Sequence, residues 1–224
     1  FRGKYYLQGG VATETSSRFG RDTNEGFKLG GVSWGVFPSL QAGWLVSSES
    51  FFNVDFIDYL KLTAGLDWSG NDQISNSAAF CYHQNVQYKD KNMGLIIGNI
   101  ENQSIQWETT RRMNVGVDVQ AFNNRLRLTG NFFNNVTNNL LTLKKLDPLA
   151  GLEYAWSNGG VLQNTGFYAS ANVRAINTKN WKWELGASVG HYKNVVNQLP
   201  DETTFDSKKD GVLRGYTTDI YDGT

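Results

Sequence analysis

Few residues in this sequence have the type and spacing for chemistry. Cys81-Tyr82-His83 sets a thiol and an imidazole close together on one predicted loop, with no third ligand or partner beside them. A nucleophile needs a base within reach, and a metal site needs several ligands. Unremarkable loop residues are therefore the better reading, and the other histidine, His191, lies far along the chain. Cys81 is the only cysteine, which excludes an intrachain disulfide and a thiol-rich metal centre. Asp201 to Gly211, DETTFDSKKDG, is acidic enough to suggest calcium but lacks the spacing of an EF-hand loop. No nucleophile elbow, zincin or phosphate-loop motif occurs. The expectation is a protein that is not an enzyme and carries neither metal nor cofactor.

Recognition chemistry remains. Tyr82, Tyr88, Tyr154 and Trp156 fall in predicted loops, where they suit stacking on sugar rings, packing against peptides, or holding their own loops together. A second set, Lys61, Asp67, Arg112, Asp118, Arg127, Arg174, Lys182 and Glu184, alternates in sign along predicted strands. One reading is a polar lumen that meets a solute or a plug; the other is wall solubility and cross-strand pairing. With 21 basic and 21 acidic side chains the net charge is +0, which gives no argument for nucleic acid or an anionic surface.

The elements that carry these side chains are strands. Apolar residues recur with period two over Tyr59 to Trp68, Met113 to Ala121, Arg125 to Asn134, Gly166 to Ile176 and Trp181 to Tyr192. Tyr5 to Glu14 and Phe37 to Ser47 show the pattern more weakly. Val115, Val117, Val119, Leu126, Leu128, Trp183 and Leu185 share the apolar faces, while Lys61, Asp67, Asp118, Arg127, Arg174 and Glu184 share the opposite ones. A two-residue turn at Asn123-Asn124 keeps both faces of the central hairpin pure, pairing Ala121 with Leu126, Val119 with Leu128 and Val115 with Phe132. The hairpin after Gly166 needs an odd-length turn within Ile176 to Asn180; it pairs Val173 with Trp183 and sets Arg174 against Lys182, a like-charge contact.

Connector lengths alternate. Long polar stretches run over Thr15 to Ser33, Ser69 to Gln106, Asn135 to Asn164 and from Lys193 onward; brief ones lie at Asn123-Asn124 and around Asn177 to Asn180. Long loops on one side and tight turns on the other are the habit of outer-membrane barrels. Met113 to Ala121 is about the 9–11 residues that a tilted strand needs to cross hydrocarbon. No apolar run is long enough for a transmembrane helix. Tyr59 with Trp68, Phe132 with Phe133, and Trp181 with Trp183 cluster near predicted strand ends, as interfacial girdles do. The apolar faces are thus predicted to meet outer-membrane lipid and the charged faces a watery lumen. A soluble antiparallel sheet with one buried face alternates in the same way.

Six blocks follow one another along the chain: SSRFG (from Ser16), WGVFPSLQAGWLVSSESFF (from Trp34), IDYLKLTAGLDWSGN (from Ile57), IQWETTRRMNVGVDV (from Ile105), NNRLRLTGNFFNNVTNNLL (from Asn123) and NGGVLQNTGFYASANV (from Asn158). In this order they resemble the carboxy-terminal part of the barrel in SusC/RagA-type TonB-dependent transporters of Bacteroidetes. Thr63 stands where that family usually has Arg, Gly130 to Phe133 replaces an Asp-x-Tyr, and Tyr168 sits where Glu is common. The resemblance implies an all-β fold: a transmembrane antiparallel β-barrel of about 22 strands, of which residues 1–224 would form a partial domain of seven or so, without the plug and the final strand. It also implies a bacterial outer-membrane importer of oligosaccharides or oligopeptides. A SusD-like lipoprotein would serve as lid, and the TonB complex would act through the absent plug. An alternative is a SusC-like barrel kept as a structural subunit of a larger envelope complex; a soluble carbohydrate-binding sandwich is a third reading.

Overall fold

The computed structural model describes residues 3–88 and 92–199. Twelve strands follow one another: β1 (Tyr5–Glu14), β2 (Phe27–Leu29), β3 (Val32–Leu45), β4 (Ile57–Asn71), β5 (Tyr82–Tyr88), β6 (Asn92–Asn99), β7 (Glu108–Ala121), β8 (Leu126–Asn138), β9 (Leu141–Lys145), β10 (Tyr154–Asn158), β11 (Val161–Asn177) and β12 (Lys182–Gln198). Seven form a continuous antiparallel wall in the order β1-β3-β4-β7-β8-β11-β12, and β2 pairs with β3 beside it. β5–β6 and β9–β10 are separate hairpins. Among the described residues, no helix is long and apolar enough to cross a membrane.

Register carries period two into two unlike surfaces. One row across the wall reads Tyr5, Trp44, Leu62, Val117, Gly130, Ala169, Val189. The next row reads Tyr6, Gly43, Thr63, Gly116, Asn131, Tyr168, Gly190. The first is apolar from edge to edge; the second is mainly small and polar.

The central hairpin has the predicted register, with Ala121 opposite Leu126, Val119 opposite Leu128 and Val115 opposite Phe132. Asn123 and Asn124 take positive φ (56° and 60°), as a tight turn requires. Phe122 is left-handed as well (φ 58°), so the ladder closes one pair earlier than predicted and the turn spans residues 122–125. The cause is the neighbouring connector: the Phe122 N–H donates to the Phe56 carbonyl at 2.9 Å, and the two rings stack 5.8 Å apart.

The second hairpin corrects the sequence reading. Val173 pairs with Leu185 and Arg174 with Glu184, two residues away from the predicted register. A bulge at Ala175 supplies the odd residue, and the turn over 178–181 is even. Thr178 closes that turn, its hydroxyl accepting from the Trp181 N–H at 3.0 Å. The like-charge contact of Arg174 with Lys182 therefore does not form; Arg174 makes an ion pair with Glu184 at 2.7 Å instead.

Strands run further than the alternation indicated. β4, β7 and β8 have 15, 14 and 13 residues and β11 and β12 have 17 each, beyond the roughly 9–11 needed for hydrocarbon. β12 continues to Gln198, into the stretch from Lys193 read as connector. Phe132 and Phe133 lie mid-strand rather than at a strand end. Pro38 also lies within a strand, paired with Val11 on the β1 side. On the other side the β3–β4 ladder stops at Ser39–Asp67, where a residue with no N–H ends it.

Candidate functional site

The long connectors 15–26, 72–107 and 139–160 share one rim of the wall, opposite the connectors 46–56, 122–125 and 178–181. The well-buried core of the chain sits at the long-connector rim. Phe19, Ile74, Ala78, Ala79, Ile105, Trp107 and Leu141 pack there with Phe37 of β3, and Trp68 and Trp156 lie against them. Phe37 meets Trp107 edge-on at 5.5 Å, and Phe19 meets the same indole at 4.7 Å. This wedge lies beyond the end of the β3–β4 ladder. A Cβ at Gly70 would overlap both Phe37 and Trp107, so glycine makes room for it.

Side-chain amides and carboxylates tie the three connectors into one cap. Asn158 donates to the carbonyls of Gln106 and Asn139, each at 2.9 Å, and accepts from the Gln106 N–H at 2.7 Å. Asn99 donates to three carbonyls of 77–80. Glu25, in the first connector, accepts from Thr109 at 2.9 Å and from Asn139, in the third, at 2.5 Å. Buried Glu108 accepts from Asn71 at 3.2 Å and from the Leu141 N–H at 3.1 Å. The Gly20 N–H donates to the Ile105 carbonyl, and a Cβ at Gly20 would overlap the Gln103 backbone. None of these polar clamps was anticipated. Their only trace in the sequence is the density of Asn and Gln around Ile105 and Asn158. Asn158→Ala would leave one N–H and two carbonyls of the cap without their partner. We expect it to cost about 1–3 kcal/mol, read as faster amide exchange over residues 102–108 with the wall strands unchanged.

On the polar face, Lys61, Asp67, Asp118, Arg127, Arg174 and Glu184 share one side. Asp67 pairs with Arg112 at 3.2 Å and Asp118 lies 3.7 Å from Arg127. Such part-exposed pairs contribute about 0–1 kcal/mol each. On the opposite face Val115, Val117, Leu128, Trp183 and Leu185 are exposed, and Val119 and Leu126 are half-buried. An uncovered apolar surface spanning seven strands is far larger than a water-exposed sheet tolerates.

No family model matches the sequence. TonB-dependent receptor P39 of Formosa agariphila is 27% identical over 209 residues, covering 92% of this chain and 19% of that protein. TonB-dependent receptor SusC of Bacteroides thetaiotaomicron is 27% identical over 217 residues, covering 92% of this chain and 21% of that one. The RagAB peptide transporter superposes with a TM-score of 0.77 at 24% identity over 89% of this chain and 21% of that chain. The chain is a segment of a SusC/RagA-type outer-membrane barrel. It spans about a fifth of the length of these relatives.

In a SusC/RagA-type wall the predicted loop aromatics separate into two groups. Trp156 packs against the cap core, its carbonyl accepting from Asn102 at 3.0 Å, and Tyr154 lies two residues away on β10. Tyr82 is on the β5–β6 hairpin, its ring over Gly98. Tyr88 ends β5, and its side chain lies outside the described residues. The four therefore do not converge on one surface patch. His83 lies in strand β5 rather than in a loop, with exposed Cys81 just before it. Asp201 to Gly211 lies outside the described residues. Among the described residues, no group of three His, Cys, Asp or Glu could hold a metal.

At the short-connector rim Glu49 accepts from the Tyr5 hydroxyl at 2.6 Å and from the Trp44 indole and Lys4, each at 3.1 Å. These bonds, Tyr5 first, hold its carboxyl down to about 2. A depressed folded-state value means that the stabilisation is present above the ordinary Glu range and fades as pH falls from about 4.5 towards 2. Acid unfolding followed by tryptophan fluorescence should show this loss in the parent and not in Glu49→Gln.

Proposed function

We propose that these residues are seven wall strands and the extracellular cap of an active outer-membrane importer of oligosaccharides or oligopeptides. Val115, Val117, Val119, Leu126, Leu128, Trp183 and Leu185 face lipid; Lys61, Asp67, Asp118, Arg127, Arg174 and Glu184 face the lumen. A SusD-like lipoprotein closes over the long-connector rim, and TonB drives the cycle through a plug carried elsewhere in the polypeptide. The work of this part is positional: it holds a water-lined wall in hydrocarbon and presents a pre-ordered rim to lid and cargo. Tyr82, Tyr88, Tyr154 and Trp156 are the aromatic candidates for cargo contact.

The observation that carries this reading is the pairing of an edge-to-edge apolar face with long connectors confined to one rim. Likeness to TonB-dependent receptors and to a peptide importer supports it. The test is uptake of labelled oligosaccharide or oligopeptide by cells expressing the full-length protein, with and without TonB and the adjacent lipoprotein. TonB-dependent uptake is the expected result. A protein that sits in the outer membrane and imports neither cargo class would instead act as a structural subunit.

A further inference from the structure

Three guanidinium groups gather at the short-connector rim of the polar face. Arg125 comes from the turn, Arg127 from β8 and Arg174 from β11, and all three line one recess with Asn124, Asn172 and Glu184. The recess is built by backbone. The Arg174 N–H donates to the Arg125 carbonyl at 2.7 Å, and Asn172 is the cross-strand partner of Arg127. Its charge does not balance. Glu184 is the only carboxylate in the lining and is taken by Arg174 at 2.7 Å. Arg127 has only Asp118, on the next strand at 3.7 Å, which is beyond hydrogen-bond range. Arg125 makes no ion pair among the described residues. Arg127 and Arg174 remain 59% and 45% exposed, so their donors are open to a ligand. Planar guanidinium groups at close quarters favour carboxylates, which they bind bidentately.

We infer that this recess seats an Asp- or Glu-bearing segment of the same polypeptide, from outside these 224 residues, that occupies the barrel interior at the short-connector end. The inference rests on the reading that the polar face lines the lumen. Two observations favour a same-chain occupant over soluble cargo. The recess lies at the rim opposite the cap, and the chain spans only 19–22% of its curated relatives' length, so most of such a polypeptide lies elsewhere.

The test uses the full-length protein in lipid bilayers, comparing Arg125→Glu and Arg125→Glu/Arg127→Glu with Arg125→Lys. Resting ion leak is measured without TonB or cargo, and heat-modifiable migration reports the folded barrel. The expected result is loss of tightness in Arg125→Glu, greater loss in the double variant, and a tight pore in Arg125→Lys. A folded double variant as tight as the parent overturns the inference, as does a tight pore whose only defect is in uptake of acidic peptides. If the charge reversals fail to fold, a photocrosslinking residue in place of Arg125 decides the matter. Capture of an acidic peptide from the same chain supports the inference, and capture of wall peptides alone overturns it. Labelling of Thr129→Cys from the lipid phase would instead remove the lumen reading itself, so the two failures are distinguishable.

Discussion

Val117→Arg is expected to destabilise the barrel by about 2–4 kcal/mol in lipid, whereas Thr129→Arg is expected to change it little. The two positions lie on facing strands of the same hairpin but point to opposite faces. Val117 sits in the apolar row between Leu62 and Gly130, and Thr129 sits opposite Asp118 on the polar face. A guanidinium at the middle of an apolar face must reach the headgroups or remain poorly solvated in hydrocarbon. At position 129 it would meet Asp118 and water. Urea unfolding of the full-length protein in vesicles, followed by heat-modifiable migration, measures both costs. Equal penalties at the two sites would mean that the wall does not separate lipid from lumen, and the membrane orientation would fall with it.

Trp107→Ala is the second large effect. The indole is buried against Phe19 and Phe37, so its removal should cost about 3–5 kcal/mol by the usual penalty for deleting a buried aromatic. That loss should be local. Trp107 precedes β7 and fills the gap beyond the end of the β3–β4 ladder, while the ladders from Ser39–Asp67 towards the short connectors do not depend on it. Limited proteolysis should cut the connector 72–107 many times faster in the variant, with migration of the barrel unchanged. If the connector stays as resistant as in the parent, the three connectors are not held together by this core. A lid partner then meets independent loops rather than one surface.

The sheet was legible in the sequence because one face of each wall strand is apolar and the other is not. Strand alternation is local, and a one-residue slip would invert it. The central hairpin could thus be registered residue by residue, down to Val115 opposite Phe132. Alternation fades where both faces meet water or the cap. The strand ends were therefore drawn short, and β5, β6, β9 and β10 were read as loop.

The second hairpin marks the limit of pattern reasoning. Parity demanded an odd residue between Arg174 and Trp183, and only the folded chain placed it in a bulge at Ala175 rather than in the turn. That placement exchanges a like-charge contact for the Arg174–Glu184 pair. The left-handed Phe122 is a similar case, because its cause is Phe56, in a different connector.

By itself, then, the sequence determined the strand faces, the central register, the asymmetry of the connectors and the family resemblance, since each is written in neighbouring residues or in the order of words along the chain. Only the tertiary structure decided that the long connectors share a core, that Glu25, Glu108 and Asn158 clamp it, and that Arg125, Arg127 and Arg174 converge. Those features join residues far apart in the chain, and no local period records which distant backbone group a buried amide will meet.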